Sequence, residues 1–101
     1  MRALVRLQKA EEHVKFKKAK VDLYETFADA YRMKGELGKA VEFYKRALER
    51  TDCYDRSRII HLNLGKVYMK QGEYQLAMNE YYDALRSLNV TSKGHQMKFC
   101  S

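Results

Sequence analysis

Four lysines stand close together near the start of the chain: Lys15, Lys17, Lys18 and Lys20. Clustered ammonium groups attract nucleic-acid phosphates, and an aromatic ring among them, here Phe16, can stack on a base. The lysines are therefore candidate RNA contacts. Lysines also suit the negative end of a helix dipole, and no recognised nucleic-acid motif accompanies them. We expect a solvated helix end here, with RNA contact as the alternative.

Residues that could carry catalysis or bind a metal are sparse. His13, His61 and His95 are far apart in the sequence, and no serine or cysteine has a base at a suggestive spacing. Cys53 and Cys100 form neither a C-x-x-C pair nor a His/Cys cluster at metal-ligand spacing. The sequence also contains no glycine-rich phosphate loop. We therefore expect no enzymatic activity, no metal and no cofactor.

The composition favours a single helical domain. The chain has 101 residues, a net charge of +7, no proline and five glycines, and helix-forming residues are plentiful. This balance excludes a disordered tail. The apolar run that begins at Ala3 is interrupted by Arg6, too early for a signal peptide, and no apolar run is long enough for a membrane span. We expect an intracellular, cytoplasmic chain without membrane contact.

The sequence repeats with a period of 37 residues. Seven of eighteen consecutive positions are identical to the residue 37 places later: Tyr31/Tyr68, Gly35/Gly72, Glu36/Glu73, Ala40/Ala77, Tyr44/Tyr81, Ala47/Ala84 and Leu48/Leu85. Apolar residues fall at helical spacing on both sides of Gly35 and Gly72, which can adopt the left-handed conformation that ends a helix. We expect helices near residues 22–34, 38–51, 58–71 and 75–88, with two helices per unit.

This pattern resembles the tetratricopeptide repeat. In the first unit the family's positions hold Tyr24, Phe27, Ala28, Tyr31, Gly35, Ala40, Tyr44, Ala47 and Leu48. In the second unit they hold His61, Leu64, Gly65, Tyr68, Gly72, Tyr74, Ala77, Tyr81, Ala84 and Leu85. The resemblance implies an all-α solenoid of antiparallel helix pairs that form a right-handed superhelix. Two features depart from the family. The period is 37 rather than roughly 34 residues, and Asp52 and Asn89 stand where proline is frequent.

The register divides the chain into about two and a half repeats. Residues 1–20 would be the second helix of a preceding repeat, 21–57 and 58–94 two full repeats, and 95–101 the start of a following one. The extra residues lie around Cys53–Ser57 and lengthen either the helices or the linker. Alternatively, residues 2–34 form one continuous helix that docks on another copy. Repeat faces that lack a neighbour at either end would also favour self-association.

The resemblance implies that the chain is a non-catalytic interaction scaffold, with a partner peptide in a concave groove lined by the first helices. The corresponding residues are Asp22, Glu25, Asp29 and Arg32 in the first unit and Ile59, Leu62, Asn63, Lys66 and Met69 in the second. We expect a partner with basic and apolar residues. Alternatively, the acids form a solvated face and the apolar residues pack against a neighbouring helix.

Some family members clamp a C-terminal carboxylate with lysine and asparagine side chains. Asn63 matches one of those positions, but Glu25 and Asp29 occupy others and would repel a carboxylate. We therefore expect no carboxylate clamp.

The tyrosines of the repeat positions, Tyr31, Tyr44, Tyr68 and Tyr81, are expected in the core. Tyr54 and Tyr82 fall outside the pattern, and we expect them to be exposed.

Overall fold

The computed structural model describes the backbone of residues 2–91 and, within that range, the side chains of residues 12, 13 and 15–86. The described chain forms four helices: α1 (Arg2–Lys34), α2 (Leu37–Arg50), α3 (Tyr54–Gln71) and α4 (Tyr74–Thr91). The predicted all-α fold of repeated helix pairs is confirmed. The proposed start of a further repeat at residues 95–101 lies outside the described residues.

Two glycines end the first helix of each pair in the same way. Gly35 and Gly72 have φ of 90° and 78°, in the left-handed region. The amide after each glycine donates to a carbonyl five residues earlier: Glu36 N to Tyr31 O and Glu73 N to Tyr68 O, both at 2.9 Å. These bonds satisfy carbonyls that the helix end leaves without partners. The predicted tight turns are therefore present in both units.

The connection between the two pairs is shorter than expected. The helix α3 begins at Tyr54, four residues before the predicted start, and Ser57 N donates to Cys53 O at 2.9 Å in its first turn. The extra residues of the period therefore lengthen α3. As a result Tyr54 lies inside the packed helix and is only 3% exposed, so the prediction that it is exposed was wrong. Tyr82 is exposed as predicted.

The helix α1 runs without interruption from Arg2 to Lys34. Neither glycine nor proline occurs before Gly35, so nothing in the sequence breaks the helix. Of the two alternatives for this segment, the structure has the continuous helix, with no turn near residue 20. The repeat to which residues 1–20 belong stays a prediction.

The core lies between helices that are neighbours in sequence. Helix α1 packs against α2, α2 against α3, and α3 against α4. The largest fully buried side chains are Tyr44, Ile60, Leu64 and Val67. Of the other repeat tyrosines, Tyr68 is buried, and Tyr31 and Tyr81 are partly buried against this core. Burial of these apolar and aromatic side chains provides the main stabilisation.

Phe43 of α2 anchors the first helix pair. Its ring centroid lies 6.1 Å from that of Tyr24, 5.5 Å from that of Phe27 and 5.4 Å from that of Tyr31. Tilted and offset aromatic contacts of this kind are favourable beyond the area they bury. The pair α1 and α2 is therefore fixed, and with it the direction in which α1 presents its polar face.

Candidate functional site

The acidic face of α1 is engaged by an arginine of α3. Arg56 Nη2 donates to Asp22 Oδ1, and Arg56 Nε lies 3.0 Å from Glu25 Oε2. The second contact is an ion pair without hydrogen-bond alignment. Burial raises the pKa of Glu25, although Arg56 opposes this effect, and the charges of Asp22 and Asp29 add to it. The alternative of a simple solvated face therefore does not describe Asp22 and Glu25, because both pair with Arg56.

The lower half of the same face is tied to α2. The Tyr44 hydroxyl donates to Asp29 Oδ1, and Arg32 Nε donates to the Tyr44 oxygen at 3.2 Å. Arg32 Nη2 also lies 3.6 Å from Asp29 Oδ1. Burial and the hydrogen bond to Asp29 raise the pKa of Tyr44 to about 12. This cluster orients Asp29 and Arg32 on the surface by linking them to a core tyrosine.

We expect the Tyr44 hydroxyl to make stability depend on alkaline pH. Because the pKa of Tyr44 is about 12 in the folded protein, against an ordinary value of 10.0, the folded state holds the phenolic proton more tightly than the unfolded state. This contribution is present below pH 10 and is lost as the pH rises through about 12. Urea unfolding of wild type and Tyr44→Phe at a series of alkaline pH values measures it. The variant should lose less stability over this range, and parallel curves would contradict the assignment.

The corresponding face of α3 is largely apolar and open. Ile59, Leu62 and Met69 are 44%, 39% and 46% exposed. Lys66 is exposed between them, and Asn63 is half-buried beside them. Ile59 and Leu62 are therefore only partly covered by the described helices. An exposed apolar row on a helix is the feature that a partner segment can cover.

Arg56 completes this face, and our sequence interpretation did not include it. It stands one helical step before Ile59 in the series of residues that line α3, at spacing i, i+3. We expected the helix near residues 58–71 and left open whether the residues before it lengthen the helix or the linker, so Arg56 was not placed on this face. If the predicted helix had begun at Tyr54, the same spacing would have placed Arg56 on this face. We call the combined surface of Asp22, Glu25, Asp29, Arg32, Arg56, Ile59, Leu62, Asn63, Lys66 and Met69 the groove face.

The lysine cluster of α1 does not form a single stripe. At roughly 100° per residue, Lys15 and Lys18 lie on one side of the helix, and Lys17 and Lys20 lie on nearly the opposite side. All four are exposed. Lys17 Nζ is 3.9 Å from Asp52 Oδ2, and Lys20 Nζ is 5.8 Å from the Phe16 ring centroid. One nucleic-acid backbone could follow only one of the two sides.

A polar group that the sequence did not reveal joins α3 to α4. His61 Nδ1 lies 3.1 Å from Glu80 Oε2. Asp83 is close to both: one nitrogen of His61 and one carboxylate oxygen of each acid lie within 4.8 Å of one another. These are groups that can bind a divalent cation. Asp83 also accepts a hydrogen bond from Arg86, which competes with a cation for the carboxylate. The contact shown by the structure is the polar link between His61 and Glu80.

None of the helices in the described part of the chain combines the length and the apolar character that a membrane span requires.

Comparison with known protein families agrees with the helix pairs. The profile of the tetratricopeptide repeat matches residues 21–51 and residues 60–87. The first match covers the second part of α1 together with α2, and the second covers most of α3 and α4. Neither the curated proteins nor the solved structures include a match to this chain. Because the profile covers more than half of the chain and follows its helix pairs, the chain belongs to the tetratricopeptide repeat family.

Proposed function

We propose that this chain is a non-catalytic scaffold that binds a partner peptide or helix along the groove face. Tetratricopeptide repeats generally mediate protein–protein interactions. The observation that carries the proposal is the exposed apolar row Ile59, Leu62 and Met69 on α3. The row lies on a helix that is packed on both sides, so little order has to be gained when a partner binds.

Apolar contacts are expected to dominate this binding. Arg56 already neutralises part of the charge of Asp22 and Glu25, and Arg32 and Tyr44 already contact Asp29. Basic residues of a partner would therefore compete with contacts inside the chain, whereas apolar residues meet no such competition. Charge-reversing substitutions at Glu25 or Asp29 would break these internal contacts as well as change the groove face. Substitutions on α3 give a cleaner test.

Replacing Ile59 and Leu62 together by glutamate should weaken peptide binding about tenfold or more, because burying a carboxylate against apolar side chains carries a desolvation penalty. The probe is a set of peptides selected on the wild-type chain from a random display library. Their affinities for wild type and for Ile59→Glu/Leu62→Glu are then measured by fluorescence anisotropy.

Leu76→Glu is the matched control, because Leu76 is equally apolar and similarly exposed but lies on α4. It should leave the affinities unchanged. Equal affinity of the double variant and wild type would place binding elsewhere and overturn the proposal. Circular dichroism confirms that both variants are folded.

RNA contact through Lys15, Lys17, Lys18 and Lys20 is less well supported, because these lysines divide between two sides of α1. RNA contact and peptide binding along the groove face predict different dependences of affinity on salt concentration. Phosphate binding weakens steeply with salt, whereas apolar groove binding does not. The selected peptides should therefore bind the chain similarly across ionic strengths.

A further inference from the structure

The first and last described helices each expose apolar residues whose counterparts are covered elsewhere in the same chain. Helix α3 packs closely against α2 and α4, and α2 packs closely against α1 and α3. By contrast, within the described residues α1 packs closely only against α2, and α4 only against α3. Comparing positions 37 residues apart therefore shows which surface an additional neighbour would cover.

On α1 this surface consists of Leu23 and Phe27, which we call the start stripe. They are 51% and 44% exposed, whereas their counterparts in α3, Ile60 and Leu64, are fully buried. Both helices pack on the second helix of their own pair. Helix α3 also packs on α2, the second helix of the preceding pair. The start stripe is therefore the surface on which a helix like α2 would pack.

On α4 the surface consists of Met78 and Leu85, which we call the end stripe. They are 47% and 60% exposed. Their counterparts in α2, Val41 and Leu48, are partly buried against the core. Among the described residues, α2 packs on the first helix of the following pair, and α4 has no such neighbour. The end stripe is therefore the surface that would pack on a helix like α3.

We propose that the end stripe of one copy docks on the start stripe of a second copy, and so reproduces the packing of α2 on α3 between two chains. A second copy is the occupant because the chain itself carries both halves of this interface. The helix α1 is uninterrupted from Arg2 to Lys34, and the start stripe is exposed. The contact uses residues outside the groove face, so it is independent of the proposed peptide binding.

This contact would join two different surfaces in a head-to-tail manner. Each complex of two copies keeps one free start stripe and one free end stripe, so association does not close. We expect the average mass in sedimentation velocity to increase continuously with concentration, without stopping at a dimer. The measurement is made with and without a reducing agent, because the chain contains two cysteines.

Two substitutions test the head-to-tail geometry. Leu23→Glu blocks the start stripe, and Leu85→Glu blocks the end stripe, because each places a carboxylate in an apolar contact. Each variant alone should be monomeric at every concentration. An equimolar mixture should form a dimer and nothing larger, because the start stripe of Leu85→Glu can still receive the end stripe of Leu23→Glu. Met78→Glu serves as a second block of the end stripe if Leu85→Glu does not fold.

The matched controls are exposed apolar residues outside both stripes. The residue 37 positions away from each control is also exposed, so an additional neighbouring helix would not cover it. Met33 corresponds to Lys70, and Leu76 corresponds to Lys39, both exposed. Met33→Glu and Leu76→Glu should therefore associate like wild type. A wild-type chain that stays monomeric overturns the proposal. So does association that Leu85→Glu abolishes but Leu23→Glu does not, since that result indicates a symmetric α4 contact. A mixture that remains monomeric overturns it as well.

Discussion

Replacing Leu64 by alanine should destabilise the fold by about 2–5 kcal/mol, the range observed when a fully buried leucine is truncated. Leu64 is fully buried in the central helix α3, so its removal leaves a cavity between the two helix pairs. Small domains have only about 5–15 kcal/mol of stability in total. At urea concentrations that unfold only a small fraction of wild type, the variant should therefore be largely unfolded.

The control for this effect lies two residues away. Leu62 belongs to the same helix but is 39% exposed, so Leu62→Ala should cost less than about 1 kcal/mol. Urea unfolding followed by circular dichroism gives both values. Similar losses for the two variants would mean that the described orientation of α3 is wrong.

Gly65→Ala should also destabilise the protein, by about 1–3 kcal/mol, even though alanine is the better helix former. A Cβ atom at Gly65 would overlap Tyr81 Cε1. This is far inside van der Waals contact, and the ring belongs to a side chain packed against the core. The tyrosine or the helix α4 would have to move.

Gly38→Ala gives the opposite expectation. A Cβ atom at Gly38 in α2 would meet open space, with no neighbouring atom within 4 Å, so the substitution should stabilise the protein by up to about 1 kcal/mol. The origin of the Gly65 effect is tested in a Tyr81→Leu background, where the penalty of Gly65→Ala should largely disappear. If it persists there, the crowding does not come from the tyrosine ring.

Much of the fold could be predicted because the same pattern of residues occurs in both helix pairs. Gly35 and Gly72 indicated both turns, and each does adopt the left-handed conformation. The periodic positions predicted the buried residues Tyr44 and Tyr68. Such features depend on local backbone geometry and on the spacing of residues along the helix, and both can be inferred from residue types and their order.

The predictions that failed concern residues between the repeats. Because Tyr54 falls outside the repeat pattern, we expected it on the surface, whereas α3 begins at Tyr54 and buries it. The same error hid Arg56, whose contacts with Asp22 and Glu25 cross 34 and 31 positions of the chain. Pairings of this length depend on how two helices are placed relative to each other, which residue spacing within a helix does not reveal.

The bridge formed by Arg56 has a mechanical consequence. Helices α1 and α3 are not among the closely packed pairs, so the charge contacts of Arg56 span a junction that apolar packing secures only indirectly, through α2. Partly exposed ion pairs weaken as dissolved ions screen them. The relative placement of the two walls of the groove therefore depends on a contact that salt weakens, in addition to the packing of α1 and α3 against α2.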